Sequence, residues 1–296
     1  MFEELWNAST EGNVEVVASL LSQTDINLNV NWADEKVKRT SFYRACGHGK
    51  LEIVKLFLND KRTAVNQETI FGISPLVVAC IEGHIEIIKC LLQDSRIVLT
   101  QMTFNQVSPL FAACEKGRLE IVKLLLKDER IDPNFPSPNG STPFLISCLY
   151  GHLELVQVLL SCKKVDPNRP SSTGVTPLFI ACQRGDVSIV RELMNHPRVH
   201  ANMRVMTGET PLFAAAICGH LTIVKHLIAS GKDLRLNSKW SGNGNDVFQE
   251  AKLSQFNDIV KILEEYQARP VEVIGRLQRE LGILGNFFIY FYLFFL

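Results

Sequence analysis

The chain has 296 residues, of which 46% are apolar and 21% charged, and its 31 lysines and arginines balance 31 aspartates and glutamates. With no net positive charge and no basic cluster, nothing points to nucleic acid, and the composition is that of a soluble globular chain. The length would ordinarily suggest two domains, an expectation that internal repetition overrides.

At the N-terminus, Glu3, Glu4 and Trp6 stand where a secretory leader would carry a basic start and a long apolar stretch, so an intracellular, cytoplasmic and reducing setting is expected. Ser9 and Thr10 suit the polar outer face of an end cap. One frame then recurs. Cys46, Cys80, Cys114, Cys148 and Cys182 repeat with a constant 34-residue period. Around the last four run ISPLVVACIEGHIEIIKCLL from Ile73, VSPLFAACEKGRLEIVKLLL over 107–126, STPFLISCLYGHLELVQVLL from Ser141 and VTPLFIACQRGDVSIVRELM over 175–194. ETPLFAAAICGHLTIVKHLI from Glu209 continues the series, and weaker copies surround Ala8, Ala45 and Ala251, giving eight units. A period of this length marks stacked supersecondary units.

Each unit reads as a helical hairpin. Pro75, Pro109, Pro143, Pro177 and Pro211 each follow a Ser or Thr able to cap a helix, and Pro at the first helical position loses no hydrogen bond. The helix runs about eight residues to Gly83, Gly117, Gly151, Gly185 or Gly219, where a left-handed residue ends it. A second helix follows, with a wide apolar stripe (Leu119, Ile121, Val122, Leu124, Leu125, Leu126) and with Glu120 and Lys123 outward at i, i+3 spacing. Such a hairpin cannot bury its apolar surface alone and must stack on its neighbours. The segments 132–140, 166–174 and 202–208, rich in Asn, Pro, Ser and Gly, form the turns between units.

This pattern of a TPL-like turn, a small-residue pair, a glycine turn and an IVxLLL-like run resembles the ankyrin repeat family over residues 1 to about 265. The resemblance implies an all-α fold, an ankyrin-repeat solenoid of about eight stacked helix-turn-helix units with hairpin-like connecting loops over 1–266, degenerate at both ends. The family's His after TPL is absent. Val77, Phe111, Leu145, Phe179 and Phe213 occupy its place, so the hydrogen bonds it makes must be missing or replaced, with register leaning on apolar packing. Ser41 replaces Pro, Gln106 replaces the loop Gly, and endings such as KDERID (127–132) add the residue that gives the 34-residue period.

Two sharper chemistries fit the same residues less well. Cys80 with His84, and Cys148 with His152, are four apart and could each offer two zinc ligands, but the next pair is a helix spacing away and Cys114 is followed by Arg118. Consecutive ladder cysteines cannot pair as disulfides without distortion, because stacked helices lie about 8–10 Å apart and a disulfide needs Cα atoms within roughly 7 Å. The cysteines read as small buried residues. His84, His152 and His220 recur in phase with the glycines, as a turn element does, and no motif of nucleophilic, metal or phosphate chemistry occurs. No catalytic residue, metal or cofactor is expected.

The resemblance implies a protein-binding scaffold whose loop tips and exposed helix-one residues line a concave groove. On this sequence those positions are Ile70, Phe71, Ile73, Ile81 and Glu82; Met102, Phe104, Val107, Glu115 and Lys116; Leu149 and Tyr150; Gln183 and Arg184; and Arg204, Met206, Glu209 and Ile217. The first half of this set is unusually apolar, so a protein partner is expected across units three to five, with the chain itself a monomer. The alternative is that Phe71 and Phe104 tuck back against neighbouring loops.

SKWSGNGNDV (238–247) lengthens the last connection and leaves Trp240 either a packed lid or an exposed contact. After a C-terminal cap over 246–266, residues 267–296 form a separate tail. Within it, 268–283 reads as a short helix after Pro270 with Val271, Ile274, Leu277 and Leu281 on one side, and LGNFFIYFYLFFL (284–296) is almost wholly apolar. Its continuous apolar run, Phe287 to Leu296, falls short of the about 20 residues that span a bilayer. Membrane association through 284–296 is the alternative reading, in which the tail tethers the ankyrin array.

Overall fold

The computed structural model describes residues 1–23, 28–99, 103 and 107–283. Met102, Phe104, Gln106 and the apolar segment 284–296 lie outside the described residues, and with them the membrane-tether reading. Among the described residues there are seventeen helices and no strand, only an isolated bridge between Ala33 and Thr40.

Sixteen helices form eight consecutive pairs: α1 (Phe2–Glu11) with α2 (Val14–Ser22), α3 (Ser41–Gly47) with α4 (Leu51–Asn59), α5 (Pro75–Glu82) with α6 (Ile85–Gln93), and α7 (Pro109–Glu115) with α8 (Leu119–Leu125). The series continues with α9 (Pro143–Leu149) and α10 (Leu153–Ser161), α11 (Pro177–Arg184) and α12 (Val187–Asn195), α13 (Pro211–Ile217) and α14 (Leu221–Ala229), then α15 (Val247–Leu253) and α16 (Asn257–Ala268). The last helix, α17 (Pro270–Glu280), follows. Packing divides the chain into two compact units, 1–147 and 148–296. Within the first, first helices stack on first helices (α1 on α3, α3 on α5, α5 on α7) and second on second (α2 on α4, α4 on α6, α6 on α8); within the second, α11, α13 and α15 and separately α10, α12 and α14 do the same.

The helix starts are built from one device. Thr40, Ser74, Ser108, Thr142, Thr176 and Thr210 each accept a hydrogen bond from the backbone N–H three residues on, at 3.1–3.3 Å. Losing such a cap costs about 1 kcal/mol. Thr40 caps without the Pro that Ser41 replaces. Helix ends use left-handed glycine: Gly185 closes α11 at φ +83°, and a Cβ there would lie 2.6 Å from the His220 ring of the next hairpin. Glycine therefore serves both the turn and the close approach.

Apolar burial follows the predicted faces. Val77, Phe111, Leu145, Phe179 and Phe213 are all buried, as are Ile121, Val122 and Leu125 of the second-helix stripe. On the opposite side Lys55, Lys89 and Lys123 reach Glu52, Glu86 and Glu120 at 2.7 Å, each pair at i, i+3 spacing. All eight cysteines are free thiols, and the five in the periodic ladder are buried. Burial pushes their thiols up, to about 12 at Cys114, which keeps them protonated and unreactive at neutral pH.

The register between hairpins is also fixed by polar bonds, where the sequence suggests mostly apolar packing. The residue after the turn glycine takes over from the missing histidine: His84 Nε2 lies 3.0 Å from the Gly47 carbonyl and His220 Nε2 3.2 Å from that of Gln183, while Arg118 donates to the Ile81 carbonyl at 2.9 and 3.1 Å. Each reaches back to the end of the preceding first helix.

A second ladder runs along the other helices. Arg62, Arg96, Arg130, Lys164, Arg198 and Lys232 share the period of the cysteines. Arg62 donates to the Leu21 carbonyl at 2.7 Å, Arg96 to Leu58 at 2.7 Å, Arg130 to Leu92 at 3.3 Å, and Arg198 to Leu160 at 2.7 Å. These carbonyls lie at the ends of second helices, where no intrahelical donor remains and the dipole favours a cation. Asp60, Asp94 and Asp128 hold the guanidinium two residues on, at 2.6–2.7 Å. Asparagines add a third link: the Asn66 and Asn168 amides donate to the Arg96 and Arg198 carbonyls at 2.6 Å and accept from the backbone N–H of Val98 and His200.

The arginine hydrogen bonds hold the carboxyls of Asp60, Asp94 and Asp128 below their ordinary value. A carboxylate depressed on folding contributes stability that is present above its unfolded value, about 3.9, and is lost as pH falls through the folded one. Thermal melting is therefore expected to hold steady from neutral pH to about 5 and to fall steeply below about 4. Arg96→Leu flattens part of that fall, and an identical acid profile in that variant would detach the effect from the ladder.

α17 packs on α14 and α16, burying Val273 and Leu277. Gln278 donates to the Ala229 carbonyl at 2.9 Å, and Lys225 pairs with Glu280 at 2.5 Å. Val271, expected on the inner side, is 82% exposed, because it sits in the first turn and Val273 takes the inward position. No helix among the described residues is long and apolar enough to cross a membrane.

Candidate functional site

The connecting turns share one geometry that pushes two side chains outward. In the third hairpin Thr69 N–H donates to the Ile73 carbonyl at 3.1 Å and Gly72 N–H to the Thr69 carbonyl at 2.9 Å, with Gly72 at φ +73°. This closes a four-residue turn with Ile70 and Phe71 at its centre. The Thr69 hydroxyl accepts from the backbone of Phe71 and Ile73, and Ile70 N–H donates to the Val37 carbonyl of the preceding turn at 2.9 Å. The backbone is thus held while its two apolar side chains face outward. Ile70 is 42% and Phe71 55% exposed, so Phe71 does not tuck against its neighbours.

An equivalent turn in the second compact unit is Val205 to Gly208, closed by Val205 N–H to Glu209 at 3.0 Å and Gly208 N–H to Val205 at 2.9 Å. Met206 takes the place of Ile70 and is 77% exposed, while its N–H donates to the Thr173 carbonyl of the preceding turn. Arg204 is exposed and Glu209 half-buried.

First-helix ends supply the other positions. Glu82 and Lys116 are exposed, and Ile73, Ile81, Val107 and Glu115 half-buried. In the second unit a shallow cleft of about 440 Å³ gathers Leu149, Tyr150 and Arg184 beside Asp186. Tyr150 is 51% exposed, stacked on His152 with ring centroids 6.2 Å apart. Gln183 is exposed and Ile217 half-buried. Asp186 has an internal task as well, since its carboxylate caps α12 through Ile189 N–H at 3.0 Å.

Every described position of the predicted set therefore keeps accessible surface, with Ile70, Phe71 and Met206 at turn tips and Leu149, Tyr150 and Arg184 gathered in one cleft. The Arg, Lys and Asn ladder that sets these turns is absent from that set, although its period, the same as that of the cysteines, is a signal open to view in the sequence. Trp240 is half-buried, its indole lying over Gly242.

The family model described as ankyrin repeats in three copies matches the chain in five overlapping segments, 5–102, 42–137, 95–171, 146–238 and 185–272. The capped helical hairpins and the family match together place this chain in the ankyrin repeat family, whose repeats generally mediate protein–protein interaction. No curated protein matches the chain.

Proposed function

We propose that this chain is a monomeric, non-catalytic scaffold of a reducing, cytoplasmic compartment, holding a protein partner on its turn tips and first-helix ends. The observation that carries the reading is the pair Ile70 and Phe71, exposed at the centre of a turn whose backbone is committed to hydrogen bonds. A rigid turn presenting an aromatic and a branched aliphatic side chain loses little entropy on binding. Tyr150 and Arg184 in the second compact unit are of the residue types enriched at interface hot spots. Unreactive, protonated ladder thiols accord with a packing role.

The test is the double variant Ile70→Ser, Phe71→Asp in the full chain. Both side chains are exposed, so stability is expected to change by no more than about 0.5 kcal/mol, while capture of a partner from native extract is lost. Unchanged capture, or a melting temperature many degrees lower, would sink the reading.

A further inference from the structure

α17 closes a cleft that has no role in the partner faces. The cleft lies between α12, α14 and the end of α17 and measures about 590 Å³, within the roughly 300–1,000 Å³ of small-molecule sites. Its walls are apolar at Met194, Ala229, Leu281 and Ile283, and basic at Arg191, Lys232, His196 and His226, with no aspartate or glutamate among the described lining residues.

Among the described residues no carboxylate pairs with Arg191 or Lys232. The side chains of Arg191 and His226 have no hydrogen-bond or ion-pair partner among the described residues. Lys232 gives two of its three ammonium protons to the carbonyls of His196 and Val199, at 3.2 and 3.1 Å. Glu280, the carboxylate at the end of α17, is taken by Lys225. Burial, reinforced by Arg191, holds the His226 ring below its ordinary value, and burial together with Arg198 and Lys232 does the same to His196. Burial also lowers Lys232. Lys232 is thus a partly buried cation, which is costly without an anion; a negative ligand would offset that cost, pair with the exposed Arg191 and favour protonation of the two neutral imidazoles beside it.

We propose that this cleft binds a small organic anion with an apolar body, its charged head between Arg191, His226 and Lys232 and its body against Met194, Leu281 and Ile283. A medium-chain carboxylate is the simplest member of the class. Inorganic anions would lose the apolar wall, and neutral amphiphiles the charged one.

The full chain is titrated with decanoate, 1-decanol and inorganic phosphate, followed by calorimetry and by the ring-proton resonances of His196 and His226. Saturable decanoate binding that moves both histidine signals is expected, with neither decanol nor phosphate saturating. Arg191→Gln is expected to weaken decanoate about tenfold or more, the scale of one charged hydrogen bond, with unchanged melting. Lys163→Gln, exposed and outside the cleft, leaves it unaltered. Equal binding of decanol, equal binding of phosphate, an unchanged affinity in Arg191→Gln, or no saturation would each overturn the proposal.

Discussion

Replacing Phe57 with Ala is expected to destabilise the first compact unit by about 3–5 kcal/mol. Phe57 lies on α4 with no accessible surface, and its ring meets Phe42 of α3 edge-on, with centroids 5.8 Å apart at 64°. The pair joins the two helices of one hairpin at the point where they must also hold their neighbours. Removing the ring forfeits its transfer free energy, leaves a cavity that rigid hairpins cannot collapse into, and breaks the edge-to-face contact. Because repeat stability is a sum over neighbours, the loss concentrates in α1 to α6. Urea unfolding checks this: Phe57→Ala shifts the midpoint strongly, whereas Phe71→Ala, at an exposed turn tip, stays within about 0.5 kcal/mol of the parent. Equal effects of the two would contradict the division between core and presented side chains.

Arg96→Leu is expected to cost about 1–2 kcal/mol although the residue is partly exposed. Its guanidinium is shared between the Asp94 carboxylate at 2.6 Å and the Leu58 carbonyl of the preceding hairpin at 2.7 Å. Hydrogen bonds to charged groups contribute about 1.5–3 kcal/mol, reduced here by solvent at a side chain 35% exposed. The substitution also leaves the end of α4 without its donor. Arg96→Lys is expected to recover less than half, since a single ammonium cannot occupy carboxylate and carbonyl with the same fork. Differential scanning calorimetry of the three proteins decides it, and full recovery by lysine would mean that charge alone matters.

What the sequence discloses and what it withholds divide along local and non-local lines. The Ser or Thr before Pro, the glycine stop and the apolar stripe are complete within a few residues, so Thr176, Pro177 and Gly185 announce α11 without reference to anything else. The arginine ladder is different in kind. Arg62, Arg96 and Arg130 look like members of charged endings, and their task is defined only by carbonyls of the preceding hairpin, which become neighbours once the hairpins stack. The same holds for His84 and His220: their phase with the glycines identifies a turn element, but the acceptors at Gly47 and Gln183 belong to another hairpin. Val271 escapes sequence reasoning because a helical stripe fixes relative but not absolute orientation, and the packing of α17 on α14 selects Val273 and Leu277. The exposure of Phe71 depends on turn geometry that Thr69 and Gly72 set together.

The most direct test of the scaffold reading is amide hydrogen exchange of the full chain, alone and with the captured partner bound. Protection is expected at the turn residues 69–73 and at the first-helix end around Leu149 and Tyr150, with the second-helix surfaces carrying Glu86, Lys89, Glu120 and Lys123 unchanged. Protection confined to those second-helix surfaces, with the turn tips exchanging as before, would contradict the account.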